Sequence, residues 1–184
     1  MAKEMKLLSS ARSITPQLAA LLNRQANREL DASRMYLSLN LWFDYHDYPG
    51  SANWCRSHSE EERGHAMKIF DHLALRKTEA ACAISNDQLT EWKINDIDPS
   101  SGKLSDIWKM ALNQEVENSR HYFEMAQMAE EQHDFVTRQF LDWFLSEQLM
   151  EENAVSDIYE KAFKLEQTGR LYVAMDGDFS SMDH

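Results

Sequence analysis

Five residues of this sequence have the types and spacing needed to hold metal ions together: Glu29, Glu62, His65, Glu115 and Glu151. Glu62 and His65 are three residues apart, so on a helix both side chains leave the same face and can reach one ion. Measured from the nearest predicted turns, Glu29 and Glu62 lie at nearly the same height, as do Glu115 and Glu151. Unpaired carboxylates in a helical core are costly, so four together require a compensating cation.

The donor atoms of these residues favour iron or a similar ion. Carboxylate oxygens with an imidazole suit Fe(II) and Mn(II), whereas thiolates would indicate zinc or an iron–sulfur cluster. The two cysteines, Cys55 and Cys82, form no C-x-x-C pair, and they are consistent with a reducing compartment. Four carboxylates balance the charge of two divalent ions, so the sequence predicts a di-metal centre.

We expect the ligands to divide between two ions. The expected assignment is Glu29 and His65 on the first ion, Glu62 bridging, and Glu115 and Glu151 on the second. Gln148 lies three residues before Glu151, and it is expected to be a further polar ligand or a hydrogen-bond partner. Tyr36 lies two turns from Glu29 on the same face, and it is expected to hydrogen-bond a ligand or supply an electron.

Four long helices would carry these residues. Thr15-Pro16 is typical of a helix start, and turn-forming clusters at 47–51, 98–102 and 132–134 divide the rest of the chain. The predicted helices span about 15–45, 52–79, 104–131 and 134–168, with a short helix expected within 171–184. Connections that are short, long and short predict an all-α four-helix bundle with one long crossover, in a single domain over residues 1–184.

Composition and charge exclude other classes of function. The formal net charge of −12 argues against nucleic-acid binding, for which a basic surface would be expected. The chain has no apolar run of about 18 residues and no apolar leader at its start, which predicts neither a membrane span nor secretion. The expected location is the cytoplasm, or an organelle stroma if a transit peptide has been removed.

Three stretches resemble the non-haem ferritins, of the bacterial or algal type. They are Asn27-Arg28-Glu29-Leu30 up to Tyr36, then Glu60-Glu61-Glu62-Arg63-Gly64-His65, and finally Ser146-Glu147-Gln148-Leu149-Met150-Glu151. The resemblance covers nearly the whole chain and implies a ferritin-like fold. It places Glu29, Glu62 and His65 at a first iron site and Glu115 and Glu151 at a second, with Tyr36 and Gln148 as the family's tyrosine and glutamine beside them.

The resemblance also implies the activity and the assembly. Such a subunit oxidises Fe(II) to Fe(III) with O2 or hydrogen peroxide, and it stores the iron as a mineral inside a hollow homo-oligomer, expected to have 24 subunits. Haem is not expected, because Arg63 occupies the position of the haem-ligating methionine of bacterioferritins. A third iron site would use Glu61 and Glu147, but Met150 replaces its third glutamate.

Alternatives remain at this stage. A di-iron peroxidase or oxygenase of the same fold would not store iron, although Gln148-x-x-Glu151 replaces the second Glu-x-x-His usual in such enzymes. A purely structural helical cage and a smaller twelve-subunit cage are the other two. His58 and His72 are expected to be hydrogen-bonded core residues, and the tryptophans to serve packing.

Overall fold

The computed structural model describes residues 13–82, 104–168 and 172–179. Within these ranges the chain forms five α-helices and no strands. Their bounds are α1 Pro16–Tyr45, α2 Pro49–Leu75, α3 Ser105–Glu131, α4 Phe135–Thr168 and α5 Val173–Phe179. Helices α1 and α2 pack as one hairpin, and α3 and α4 as another. The predicted all-α bundle with a short C-terminal helix is confirmed, while most of the predicted crossover lies outside the described residues.

Helix α2 begins and ends earlier than predicted. It starts at Pro49 instead of 52, because proline suits the first turn of a helix, where its missing N–H is not needed. It ends at Leu75 instead of 79, because Lys77 adopts the left-handed conformation with φ 55°. The Thr78 amide then donates to the Leu73 carbonyl oxygen at 3.0 Å, which closes a Schellman motif.

The same ending recurs in α1 and α3. Asp47 has φ 60° and His133 has φ 56°, and in each case the next amide donates to a carbonyl oxygen of the last helical turn. Those bonds join Tyr48 to Phe43 at 2.9 Å and Asp134 to Ala129 at 2.8 Å. None of the three motifs uses glycine, so the usual sequence signal for this ending is absent.

Helix α5 caps the start of α2. The Asp176 carboxylate is buried, and it accepts hydrogen bonds from the backbone N–H groups of Gly50 at 2.9 Å and Ser51 at 2.8 Å. The Ser51 hydroxyl donates to it at 2.6 Å. These are amides that the helix itself cannot satisfy, so a residue distant in sequence performs the role of an N-cap.

An ion pair fixes the opposite end of α2. The buried Arg76 guanidinium makes a two-pronged contact with the Asp134 carboxylate, with both N···O distances at 2.9 Å. Asp134 also accepts from the Thr137 backbone N–H at 3.1 Å, so it caps α4 as well. Burial raises the pKa of Asp134, but hydrogen bonds from Arg76 and Thr137 outweigh that and leave it below its usual value. The two hairpins are therefore joined at this end.

Two apolar clusters flank a polar middle layer of the bundle. One lies towards α5 and is built around Phe43, Trp54 and Trp108. The other lies towards Arg76 and includes Leu22 and Leu141. The middle layer therefore lies in a low-dielectric interior between these two clusters. As a separate finding, no helix among the described residues is both long and apolar enough to cross a membrane.

We expect Gly50→Ala to destabilise the protein, because the added Cβ would lie 2.0 Å from the backbone carbonyl oxygen of Asp176. That clash must displace α5, at a cost of about 1–3 kcal/mol by analogy with overpacking. Thermal and denaturant unfolding would measure it. Gly64→Ala is the matched control, because nothing lies within 4 Å of its added Cβ. If both variants unfold alike, the Gly50–Asp176 contact does not hold α5 in place.

Candidate metal centre

The polar middle layer receives side chains from all four long helices. Helix α1 provides Glu29 and Tyr36, α2 provides Glu62 and His65, α3 provides Glu115, and α4 provides Gln148 and Glu151. All seven are buried, and the most exposed of them, Glu151, has a relative exposure of 8%. The structure therefore brings these seven side chains to the inside of the bundle.

Two overlapping sets of donor atoms meet around His65. Glu29, Glu62 and His65 each offer one ligand atom, and these atoms lie within 4.8 Å of one another. Glu61, His65 and Glu151 form a second such set. The His65 Nδ1 lies 3.1 Å from a Glu62 carboxylate oxygen and 3.6 Å from a Glu151 oxygen. These donor atoms are close enough together for one small cation to bind several of them at once.

Glu115 lies at the side of this cluster and is held by two hydrogen bonds. The Tyr36 hydroxyl donates to one carboxylate oxygen, and the Gln148 amide donates to the other at 3.1 Å. Glu115 also interacts electrostatically with Glu62 and Glu151. Tyr36 and Gln148 therefore orient one carboxylate of the group.

Glu29 is held in a comparable way by residues that had no predicted role. The Tyr122 hydroxyl and the Gln25 amide, at 2.6 Å, both donate to the same Glu29 oxygen. Gln25 also donates to the Asn118 side-chain oxygen at 3.2 Å. Gln25 lies one helical turn before Glu29 and Tyr122 one turn after Asn118, so helical spacing was the available signal.

The predicted third-site residues lie at the edge of the centre. Glu61 and Glu147 are both half-buried, and both act electrostatically on His65 and Glu151. Glu61 supplies one of the atoms of the second donor set. Met150 has a relative exposure of 58%, so its thioether faces away from the buried cluster.

Burial and mutual repulsion favour protonated carboxyl groups here. Burial first, and then Glu29, Glu115 and Glu151, raise the pKa of Glu62 well above its ordinary value. Burial mainly raises the pKa of Glu115 to about 7 and that of Glu151 to about 9. Burial lowers the pKa of His65, so its imidazole is neutral and able to bind a metal. A bound divalent ion would reverse the carboxyl shifts, because it stabilises the anions.

His58 and His72 behave as core residues. His58 Nδ1 lies 3.1 Å from the Trp54 carbonyl oxygen, and His72 Nε2 lies 3.1 Å from the Thr137 hydroxyl. Burial, with Arg76 nearby, lowers the pKa of His72 to about 4. The prediction that both are hydrogen-bonded core residues is confirmed.

Comparison with known proteins identifies a family. The Ferritin-like domain family matches residues 19–164. The bacterial non-haem ferritin of Escherichia coli is 27% identical over 173 residues, covering 92% of this chain and 98% of that protein. That of Staphylococcus aureus is 32% identical over 141 residues, covering 76% and 79%. An open pore ferritin from the archaeon Archaeoglobus fulgidus superposes with a TM-score of 0.79 at 30% identity, covering 94% of this chain and all of that one.

We expect the metal-free protein to lose stability as pH rises through the pKa values of the centre. Folding raises the pKa of Glu115 from 4.5 to about 7 and that of Glu151 from 4.5 to about 9. The protonated carboxyl groups therefore contribute their full stabilisation below pH 4.5, and this contribution is lost as the pH rises to about 7 for Glu115 and about 9 for Glu151. Thermal melts between pH 5 and 9 would show a falling Tm. The corresponding loss in the free energy of unfolding is on the order of a few kcal/mol.

Glu151→Gln should flatten that pH dependence, because the neutral amide has no proton to lose. The control is Asp157→Asn, an exposed carboxylate on the same helix, which should follow the wild-type profile. A Glu151→Gln profile that parallels wild type throughout would contradict the raised pKa.

Proposed function

We propose that this chain, which belongs to the ferritin-like domain family, is an iron-storage subunit that oxidises Fe(II) to Fe(III). The oxidation would take place on a pair of irons inside the bundle, with O2 or hydrogen peroxide as oxidant. The Fe(III) would then be stored as a mineral in a hollow homo-oligomer. Iron is the substrate and the cargo of this reaction.

One observation carries the proposal: the buried cluster of carboxylates around a single neutral imidazole, between two apolar cores. Such a cluster costs stability, and among the described residues the cationic side chains pair elsewhere or lie outside this layer. Oxygen donors with one imidazole match the preference of Fe(II). Divalent iron is therefore a chemically suitable partner for this cluster.

In this proposal some residues bind iron and others hold those ligands in place. Glu29 and His65 bind one iron, Glu62 is shared, and Glu115 and Glu151 bind the other. Tyr36 and Gln148 fix the Glu115 carboxylate, and Tyr122 and Gln25 fix that of Glu29. Such supporting hydrogen bonds orient ligands and reduce the cost of ordering them when a metal binds.

Proton and electron flow balance on the same residues. Iron binding displaces protons from the carboxyl groups whose pKa is raised, because ligands bind metal in their anionic form. Two Fe(II) each give up one electron, and O2 takes up both electrons and two protons to become hydrogen peroxide. With hydrogen peroxide as the oxidant, the same two electrons and two protons yield two waters.

We expect Glu62→Gln to slow the fast oxidation phase, because the shared ligand loses its charge. Two Fe(II) per subunit would be added without oxygen, mixed rapidly with O2, and followed by visible absorbance. Wild type should give a transient that saturates near two irons per subunit, and the variant should slow it by about tenfold or more. Glu60→Gln, an exposed neighbour on α2, is the control. Oxidation of both variants at the wild-type rate would rule out this centre.

The assembly is a separate expectation, drawn from the family. A storage role requires a closed shell, and we expect a mass of 24 subunits by native mass spectrometry of the purified protein. A mass of twelve subunits would leave the proposed oxidation in place and revise the cage. A monomer or dimer at working concentration would argue for the di-iron enzyme that does not store iron.

A further inference from the structure

A continuous series of oxidisable side chains leads away from the metal centre. Tyr36, which donates its hydroxyl hydrogen bond to Glu115, has its ring centroid 5.9 Å from that of Trp54. Trp54 in turn lies 5.3 Å from Trp108, centroid to centroid. The Trp108 indole N–H donates to the Tyr172 hydroxyl oxygen at 2.7 Å. Each member therefore contacts the next.

The series runs from the buried centre to the bundle end. Tyr36 and Trp108 are fully buried and Trp54 nearly so, while Tyr172 is half-buried and adjoins the half-buried Tyr48 at a centroid distance of 5.1 Å. The inner members are thus shielded from water, and the last member is reachable from the surface. Such an arrangement suits the transfer of single electrons, because radicals on the buried members are protected from side reactions with water.

Both ends of the series have a carboxylate to take a proton. At the inner end the Tyr36 hydroxyl donates directly to Glu115. At the outer end the Ser51 hydroxyl donates to the Asp176 carboxylate at 2.6 Å, so Ser51 must accept from the Tyr172 hydroxyl at 2.9 Å. A tyrosine is oxidised readily only if its proton can leave, and both tyrosines have that exit.

The opposite side of the centre differs. Its apolar cluster is made mainly of aliphatic side chains, methionine and phenylalanine. Its tyrosine, Tyr122, stacks on Phe144 at 4.8 Å, and phenylalanine is too hard to oxidise to continue a series. Trp143 contacts His65 at 5.5 Å and has a relative exposure of 40%, so it is a separate, single-residue contact with the centre.

We propose that Tyr36, Trp54, Trp108 and Tyr172 form a relay that carries single electrons from the bundle end to an oxidant at the carboxylate centre. The proposal rests on the proposed iron oxidation, and it adds to that function a second source of electrons for the reduction of the oxidant. The external donor is a one-electron reductant that reaches Tyr172 or Tyr48, such as aqueous Fe(II) or ascorbate.

Each transfer balances. An oxidant at the centre takes one electron from Tyr36, whose proton passes to Glu115, and Trp54 then restores Tyr36, which recovers the proton. Trp108 restores Trp54, and Tyr172 restores Trp108 while its own proton moves through Ser51 to Asp176. The external donor finally reduces the Tyr172 radical, and the Tyr172 hydroxyl recovers its proton from Asp176 through Ser51. For hydrogen peroxide, two such electrons and two protons taken up from water give two waters, and two external donors are each oxidised by one electron.

The test follows radicals and iron oxidation in the same samples. The full-length protein, loaded with two Fe(II) per subunit without oxygen, would be mixed with hydrogen peroxide and frozen at intervals for electron paramagnetic resonance. Stopped-flow absorbance would report the iron. Wild type should show a transient tyrosyl or tryptophanyl radical that decays faster when ascorbate is present.

Three variants break the relay at defined steps while keeping a ring in place. Trp54→Phe should confine the radical to Tyr36 and lengthen its lifetime in ascorbate by about tenfold or more, and Trp108→Phe should lengthen it similarly. Tyr172→Phe should leave the radical on tryptophan. Trp42→Phe is the matched control, because Trp42 is buried in the same apolar cluster but contacts Phe43 and His46, which lie outside the relay.

The outcomes separate the two proposals. If iron is oxidised rapidly in all proteins but radical identity and lifetime are the same in wild type and the three variants, the relay is wrong and the oxidase stands. If Trp143→Phe alone removes the radical, electrons use that shorter contact and the relay is also wrong. If wild type oxidises iron no faster than free Fe(II), both proposals fall. Melting temperatures within a few degrees of wild type would show that the variants are folded.

Discussion

The electrostatic cost of burying several carboxylates in one layer constrains the rest of this structure. Besides burial, Glu29, Glu115 and Glu151 lie close enough to raise the pKa of Glu62, in a medium that screens poorly, and Glu115 and Glu29 likewise raise that of Glu151. A bundle free to relax would splay its helices to let water in. The two apolar clusters on either side of the layer oppose that relaxation, and they keep the carboxylates close together when no cation compensates them.

Helix α2 illustrates how the rest of the chain positions the centre. Its first amides are held by Asp176 from α5, and its last turn is tied to α4 through Arg76 and Asp134. Glu62 and His65 lie midway between these two anchors, so neither a shift along the helix axis nor a rotation is available to them. The hydrogen bonds from Tyr36, Gln148, Tyr122 and Gln25 then set the individual carboxylates. The centre is therefore supported at two levels, by the placement of the helix and by the orientation of the individual side chains.

The sequence predicted the helices and the inward-facing carboxylates and imidazole because both depend on local periodicity. Spacing of three and four residues was enough to place Glu29, Glu62, His65, Glu115 and Glu151 on buried faces. The end of α2 was predicted too late because Lys77 takes a left-handed conformation without glycine. The contacts of Gln25 with Asn118, and of Asp176 with Gly50, join residues far apart in the chain, and no periodicity within one helix encodes them.

The cap that α5 provides also has a consequence for the order of events during synthesis. Asp176 and Gly50 are separated by 126 positions, so the first hairpin leaves the ribosome long before its cap is translated. Until then the opening amides of α2 rely on water, and that end of the hairpin remains prone to fraying. The final consolidation of α2 therefore waits until Asp176 has been made, and it couples the quality of the first hairpin to the successful completion of a segment made much later.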